Sequence, residues 1–169
     1  MSEVRIRLIA EADVPRVHQL MRGLAEYEKM TDILTGTPEM LREALFGDGP
    51  RLEGLVAARE GKIVGYALFY PVFGSFRALW RLWLEDLYVE ESERGAGTGA
   101  AIMAELARIT LERGWFAMDW EVIDWNGPAL RFYQALGSTE IATDWLRYRL
   151  SGDALQAMAA RVATKTEER

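Results

Sequence analysis

The sequence predicts one domain that mixes helices and strands, of the α/β or mixed α+β class. Hydrophobic side chains switch several times between every-second-residue spacing and helical spacing. The resulting order of segments is strand, helix, helix, three strands, helix, strand, helix, strand. The 169 residues contain no internal repeat or low-complexity linker, so we expect a single domain over residues 1–169, with its core at about residues 4–150 and a C-terminal helix and tail at residues 151–169.

The N-terminal part of the chain predicts one strand and two helices. Residues 4–9 read VRIRLI and alternate in character, which is typical of a half-buried strand. A helix should follow from residues 12–13 to about Glu28, because Pro15 suits a first turn and apolar residues recur at helical spacing. Thr37 is a suitable N-cap for a second, short helix that the GDGP stretch ends.

Three strands in the middle of the chain predict an antiparallel meander. Residues 55–60 and 63–73 are apolar runs separated by Gly61-Lys62, which indicates a hairpin. Residues 78–89, ALWRLWLEDLYV, form a third run of strand-forming residues. We therefore expect three neighbouring strands in sequence order.

The second half of the chain returns to helical spacing. Apolar residues over 102–111 predict a helix that stops at Gly114, and residues 116–123 predict another strand. Asn126 can cap a short helix that ends before Gly137. The last predicted elements are a strand at residues 144–150 and an Ala-rich helix at residues 151–162.

Composition and charge argue against several classes of function. No cysteine is present, which excludes disulfides, thiolate metal sites and a Cys nucleophile, and one histidine, His18, argues against a His-built metal site. The net charge of -6 argues against electrostatic binding of nucleic acid. The longest uncharged run, residues 63–76, is too short to cross a bilayer, and the N-terminus carries charges throughout. We therefore expect a cytoplasmic protein with no metal and neither nucleic acid nor membrane as partner.

The most informative segment joins the third meander strand to the next helix through three alternating glycines. Gly95, Gly97 and Gly99 can adopt positive φ and permit close approach. Backbone amides at a helix start, together with the helix dipole, suit a phosphate or pyrophosphate group. A flexible surface turn ahead of a helix is the alternative interpretation.

Two familiar phosphate loops fit this segment poorly. A P-loop needs Lys-Ser/Thr after its last glycine, whereas Ala100 and Ala101 stand there. Gly95-x-Gly97-x-x-Ala100 matches the dinucleotide fingerprint, and Asp119 lies at about the spacing of its ribose-binding acid. However, residues 90–94 separate the strand from the first glycine, and the motif lies mid-chain after a meander.

Arg94-x-x-Gly97-x-Gly99 resembles the R/Q-x-x-G-x-G/A signature of the GNAT acyltransferases. Together with AEYEKM near the first helix, WLEDLYV before the loop and DWNGPALRFYQALG after it, the motif resembles the spermidine/spermine N-acetyltransferase group of that superfamily over most of residues 4–150. The resemblance implies a central, mostly antiparallel mixed sheet with helices on both faces. It also implies acetyl-CoA as cosubstrate and a homodimer.

The same resemblance implies a set of residues that bind acetyl-CoA. The pyrophosphate would lie on the backbone amides of Arg94 to Ala100, and the pantetheine arm would pair with the exposed edge of Leu87 to Val89. Asn126, with Gly127 to Ala129, would contact the cosubstrate from the opposite side. By name, these residues are Leu87, Tyr88, Val89, Arg94, Gly95, Ala96, Gly97, Thr98, Gly99, Ala100, Asn126, Gly127, Pro128 and Ala129.

Tyr133 matches the tyrosine that the family uses as general acid. A phenol has a pKa near 10 and a thiol a pKa near 8.5, so proton donation to the departing thiolate is slightly uphill in water and needs a polarised site. Leu130, Tyr133 and Leu136 share one helical face, so a purely structural role for Tyr133 stays open.

Carboxylates are the candidates for binding and deprotonating an amine, because an alkyl ammonium has a pKa near 10.4. Glu85 and Asp86 end an apolar strand beside the glycine loop, and Glu28 matches a family position that binds the cationic amine. In a regular strand Glu85 and Asp86 point to opposite faces, so one would reach the substrate unless a bulge intervenes. We favour Glu85 as substrate ligand or water-mediated base.

Further candidates for the substrate site lie on other predicted strands and at the end of the first helix. Asp119 and Glu121 share a strand face and would extend the acidic lining, although an ion-paired surface is an equally good interpretation. Tyr27, Trp83 and Trp120 are candidates for cation-π contact with an alkylammonium chain, with packing in the core as the alternative.

These residues together predict acetyl transfer from acetyl-CoA to a primary amine of a small cation. A polyamine, a diamine and a thialysine-like amino acid all fit. The missing cysteine favours direct transfer in a ternary complex over an acyl-enzyme. A noncatalytic acyl-CoA-binding regulatory module is the alternative.

Overall fold

The structure is a computed structural model that describes residues 3–49, 52–141 and 148–163. The chain divides into two compact units, residues 1–136 and residues 137–169. The first unit holds five strands: β1 (Arg5–Leu8), β2 (Glu53–Arg59), β3 (Lys62–Gly74), β4 (Leu79–Val89) and β5 (Met118–Trp120). Its helices are α1 (Val14–Tyr27), α2 (Pro38–Phe46), α3 (Thr98–Glu112) and α4 (Gly127–Ala135), and the second unit contains α5 (Gly152–Ala163).

The strands form one sheet in the order β1-β2-β3-β4-β5. The first four strands are antiparallel neighbours, and β5 pairs in parallel with β4. The predicted mixed fold with a mostly antiparallel sheet is therefore confirmed, as are the predicted middle meander and the helix after the glycines.

Helices cover both faces of the sheet because side chains alternate along its central strands. Val56, Tyr66 and Leu68 pack on one face with the buried side chains of α1 and α2. Leu55 and Phe69 pack on the other face with the buried side of α3. Partly buried side chains of α4 join this second core, so α3 and α4 lie on the same face of the sheet.

The turn between β2 and β3 differs from the prediction by one residue. Arg59 pairs with Lys62, so the two turn residues are Glu60 and Gly61 rather than Gly61 and Lys62. Glu60 has φ 51° and Gly61 has φ 80°. Positive φ at both positions is the geometry that matches the twist of a two-residue hairpin.

Two strand predictions near the C-terminus also change. The strand predicted at residues 116–123 is limited to Met118–Trp120, because β5 pairs only with residues 82–84 of β4. Of the strand predicted at residues 144–150, residues 144–147 lie outside the described residues, and residues 148–150 adopt no strand. The predicted C-terminal helix is confirmed as α5.

A β-bulge interrupts β4 at Glu85. Leu84 pairs with Phe69 on β3, and Asp86 pairs with Leu68, so Glu85 has no counterpart on β3. One extra residue in a strand reverses the faces of all residues that follow it. Asp86 therefore lies opposite Leu68 on the α1 side of the sheet, although it is two residues from the α3-facing Leu84.

Among the described residues, no helix is both long and apolar enough to cross a membrane.

Candidate active site

A cavity of about 880 Å³ opens where β4 continues beyond its last pair with β5. Its walls are the end of α1, the second half of β4, the glycine loop with the first turn of α3, the segment after β5, and α4. Most of the site residues predicted from the sequence line this cavity: Tyr27, Glu28, Glu85, Asp86, Leu87, Tyr88, Val89, Arg94, Gly95, Gly97, Thr98, Gly99, Ala100, Trp120, Glu121, Asn126, Pro128, Ala129 and Tyr133.

The glycine loop uses positive φ at two of its three glycines. Gly95 has φ 75° and Gly97 has φ 81°. The expectation of positive φ at Gly99 is wrong, because Gly99 lies inside the first turn of α3. Its missing side chain permits close packing of another kind, since a Cβ there would lie 3.2 Å from Cζ of Phe132 on α4.

The start of α3 presents backbone amides to the cavity. Gly97 is the N-cap and has no side chain to accept a hydrogen bond, and the amide of Ala101 is the first to donate to it, at 2.9 Å. The amides of Thr98, Gly99 and Ala100 precede this bond, so they have no carbonyl acceptor within α3. Three such amides and the helix dipole fit a pyrophosphate group.

Arg94 anchors the loop to the end of β4. Its Nε donates to the carbonyl oxygen of Val89 at 2.9 Å. The guanidinium carbon lies 4.9 Å from the ring centre of Tyr27 and 5.5 Å from that of Tyr88. The ring of Tyr27 therefore does contact a cation, but this cation is Arg94 of the protein itself.

Asn126 joins the start of α4 to the end of α1. Its Oδ1 accepts a hydrogen bond from the amide of Ala129 at 3.2 Å, which confirms the predicted N-cap. The same oxygen accepts a second bond from the hydroxyl of Tyr27 at 3.0 Å. This carbonyl oxygen thus links α4, which carries Tyr133, to the last residue of α1, which Glu28 follows.

Tyr133 projects from α4 into both the core and the cavity. Its ring centre lies 4.9 Å from that of Trp120 and 5.0 Å from that of Phe132. Burial, with a smaller contribution from the charge of Glu28, raises the pKa of Tyr133 to about 12. The phenol therefore stays protonated at neutral pH, as a proton donor must.

Glu85 lies at the bulge with its side chain exposed to solvent. Its Oε2 accepts two hydrogen bonds, from the hydroxyl of Tyr70 at 2.9 Å and from Nε1 of Trp83 at 3.0 Å. These two donors fix the orientation of the carboxylate. The sequence-based site included Trp83 as a candidate for cation-π contact but missed Tyr70, which places a polar tip in a largely apolar strand.

Asp86 lies deeper, on the α1 side of the sheet. Its Oδ2 accepts a hydrogen bond from the hydroxyl of the fully buried Tyr66 at 3.1 Å. Burial raises the pKa of Asp86 to about 6; the charges of Glu85 and Glu28 also raise it, while the Tyr66 bond lowers it. The pKa of Glu28 is raised by burial. The bulge therefore brings the carboxylates of Glu85 and Asp86 to one cavity, with Glu85 exposed and Asp86 partly buried.

Not every predicted site residue reaches the cavity. Oδ2 of Asp119 lies 2.7 Å from Nε of Arg81 in an ion pair, and Asp119 does not line the cavity. The prediction that Asp119 and Glu121 together extend the acidic lining is therefore wrong for Asp119. Strand β5 ends at Trp120, which allows Glu121 to turn toward the cavity. Ala96 and Gly127 do not line it either. The apolar lining that the sequence reasoning missed comprises Leu24, Met30, Leu84, Val122, Ile123, Phe132, Ala135 and Leu136.

Residues 19–137 match the model of the acetyltransferase (GNAT) family. The chain belongs to this family. This GNAT protein is an acetyltransferase, and enzymes of the family use acetyl-CoA as cosubstrate. The resemblance stated from the sequence motifs is thereby confirmed.

Two relatives match nearly the whole of the GNAT chain. The thialysine N-epsilon-acetyltransferase of Bos taurus is 34% identical over 171 residues, which cover 95% of this chain and 100% of the relative. The spermidine/spermine N(1)-acetyltransferase-like protein 1 of Homo sapiens is 29% identical over 168 residues, which cover 94% of this chain and 24% of that longer protein.

A solved structure agrees with the family fold. The crystal structure of an aminoglycoside acetyltransferase from an uncultured soil metagenomic sample superposes with a TM-score of 0.74 at 23% identity. The match covers 88% of this chain and 97% of that one. At this identity the likeness establishes the fold alone.

Proposed function

We propose that this acetyltransferase transfers the acetyl group of acetyl-CoA to a primary amine of a small cation, such as a polyamine, a diamine or a thialysine-like amino acid. The observation that carries the proposal is the lining of one cavity by Glu28, Glu85, Asp86 and Tyr133 beside the α3 amides. The names of the thialysine and spermidine/spermine relatives support the same class of substrate.

Acetyl-CoA would be held by residues 94–100 and by the free edge of β4. The amides of Thr98, Gly99 and Ala100 supply donors for its pyrophosphate. Residues 87–89 line the cavity, and β5 pairs only with residues 82–84, so this edge offers backbone groups to the pantetheine arm. The cap at Asn126 sets the position of α4 on the opposite wall.

The amine would be held by the carboxylates. An alkyl ammonium group is cationic at neutral pH, and a cavity with four acidic residues concentrates positive charge. Glu85 is already oriented by Tyr70 and Trp83, so it loses little freedom when it binds a cation.

Tyr133 would give its proton to the thiolate that leaves. The charge of Glu28 raises the pKa of Tyr133 and so opposes this donation. An ammonium group bound beside Glu28 neutralises that charge, which makes Tyr133 a better acid when the amine is in place. The absence of cysteine favours direct transfer in a ternary complex over transfer through a cysteine acyl-enzyme.

The test is release of CoA from acetyl-CoA in the presence of thialysine, spermidine, spermine, putrescine or lysine. At least one amine should be acetylated, and Tyr133→Phe should lower that rate by about 100-fold or more while acetyl-CoA still binds. If acetyl-CoA binds, no amine is acetylated and both forms show equal background hydrolysis, the result supports the alternative of a noncatalytic acyl-CoA-binding module.

The proposal also includes a cytoplasmic homodimer in which residues 1–169 act as one domain. The homodimer rests on the family resemblance. Light scattering over the working range of concentrations should give twice the mass of the 169-residue chain. A mass of one chain throughout would contradict it.

A further inference from the structure

We infer that Asp86, paired with Tyr66, is the group that takes the proton from the substrate amine, and that Glu85 serves only to hold the ammonium group. This inference rests on the proposed function and divides the roles of the two neighbouring acids. The division starts from the bulge, which sends the two side chains into different surroundings.

Glu85 has the surroundings of a charged ligand. It is exposed, and Oε2 receives hydrogen bonds from Tyr70 and Trp83. These two donors hold the carboxylate in one orientation at the solvent-exposed part of the cavity lining. A carboxylate that is exposed and held in this way is suited to bind the ammonium group as it enters from solvent.

Asp86 has the surroundings of a base. It lies near the charge of Glu28, the residue that follows α1, and it is hydrogen-bonded to Tyr66 on β3. Its neighbours along β4 are Glu85 and, two residues on, Tyr88. Burial and two nearby carboxylates make its negative charge costly, so acceptance of a proton relieves that cost. After Asp86 is protonated, the hydroxyl of Tyr66 can still accept or donate a hydrogen bond, so Tyr66 and Asp86 remain hydrogen-bonded.

The position of Asp86 also suits the direction of transfer. It lines the same cavity as Glu28, Glu85 and Tyr133, and it lies on the α1 side of the sheet. Asp86 is the next residue of β4 after Glu85, and both line this cavity. A base tuned near neutral pH is the most effective proton acceptor for catalysis at that pH.

The step balances in atoms and charge. An N–H bond of the ammonium group breaks, its proton goes to a carboxylate oxygen of Asp86, and the freed nitrogen lone pair attacks the thioester carbonyl carbon. Collapse of the tetrahedral intermediate breaks the C–S bond, and the sulfur takes its proton from Tyr133. The phenolate recovers the remaining excess proton from the amide nitrogen, and Asp86 releases its proton to water.

The experiment compares Asp86→Asn with the matched variant Glu85→Gln, each of which replaces a carboxylate by its amide. Single-turnover acetylation of the fastest amine among thialysine, spermidine and putrescine is followed across pH at saturating amine, and the KM of the amine is measured separately from steady-state rates over a range of amine concentrations. In wild type the rate should fall at low pH as Asp86 becomes protonated, and this fall is the acid limb of the pH profile. Asp86→Asn should lower the rate about 100-fold to 10,000-fold and remove this acid limb, whereas Glu85→Gln should raise the KM of the amine and keep the limb.

Tyr66→Phe tests the effect of the Tyr66 hydrogen bond on Asp86 while it leaves the carboxylate of Asp86 in place. Loss of its hydroxyl removes a bond that favours the charged form of Asp86, so the acid limb should move to higher pH. A limb that disappears in Glu85→Gln, or that stays unmoved in both Asp86→Asn and Tyr66→Phe, overturns the inference. Failure of wild type to acetylate any amine would instead contradict the proposed function. Binding of acetyl-CoA by each variant, measured by calorimetry, reports that its fold is intact.

Discussion

Replacement of Asp86 by Asn should stabilise the protein above neutral pH and have much less effect in acid. Burial raises the pKa of Asp86 from 3.8 to about 6. Between these values the unfolded chain has released the proton and the folded protein still holds it. Stability therefore falls as the pH rises through this window, because the folded state binds more protons than the unfolded state.

The size of the effect follows from the shift of the pKa. A shift of about two units corresponds to about 3 kcal/mol of unfolding free energy. Asn has no charge to bury and retains an acceptor for the hydroxyl of Tyr66. The difference in stability between Asp86→Asn and wild type should therefore grow by up to about 3 kcal/mol from about pH 4 to about pH 8.

Urea unfolding at both pH values measures this difference, with Glu85→Gln as the matched control. The charge of Glu85 is a smaller cause of the raised pKa of Asp86 than burial is, so Glu85→Gln should change the pH dependence of stability much less than Asp86→Asn does. An equal effect of Asp86→Asn at both pH values, or a larger stabilisation in acid, would refute the reasoning that burial controls this group.

Three further substitutions test other parts of the structure. Gly97→Ala should lower the unfolding free energy by about 1–2 kcal/mol, because Gly97 has φ 81°. The same substitution should weaken acetyl-CoA binding, measured by calorimetry. The control Gly49→Ala, at an exposed position without positive φ, should change neither the unfolding free energy nor acetyl-CoA binding. Tyr27→Phe should cost about 1 kcal/mol in urea unfolding by loss of its bond to Asn126, and this cost should vanish when Asn126 is already Ala. Thr37→Ala should lower the unfolding free energy by about 1 kcal/mol through loss of the α2 cap and leave the rate of acetylation unchanged.

The parts of the fold that the sequence predicts are those set by local spacing. Alternation placed β2, β3 and β4, and helical spacing with caps at Thr37 and Asn126 placed α2 and α4. The length of β5 could not be predicted in this way, because it depends on where β4 stops pairing with it. A strand signal describes side chains, whereas the extent of a strand depends on its neighbour.

The candidate site was predicted by residue type more successfully than by geometry. Glu85 and Asp86 were expected to point apart in a regular strand, and only pairing with β3 reveals the bulge that brings both to one cavity. The ion pair between Asp119 and Arg81 likewise depends on a contact between two strands. Local patterns identify candidate acids, but long-range packing decides which of them face the substrate.

The short pairing of β4 with β5 also bears on the lifetime of the protein. Beyond Leu84, no other strand of the described residues covers that edge of β4, and uncovered edges invite local opening and unwanted association. If acetyl-CoA lies along this edge as proposed, it completes the sheet. At a free concentration of about 100 times its Kd it would add about 2.7 kcal/mol to stability. A cell short of acetyl-CoA would then degrade this enzyme faster, so the abundance of the protein would follow the supply of its own acetyl donor.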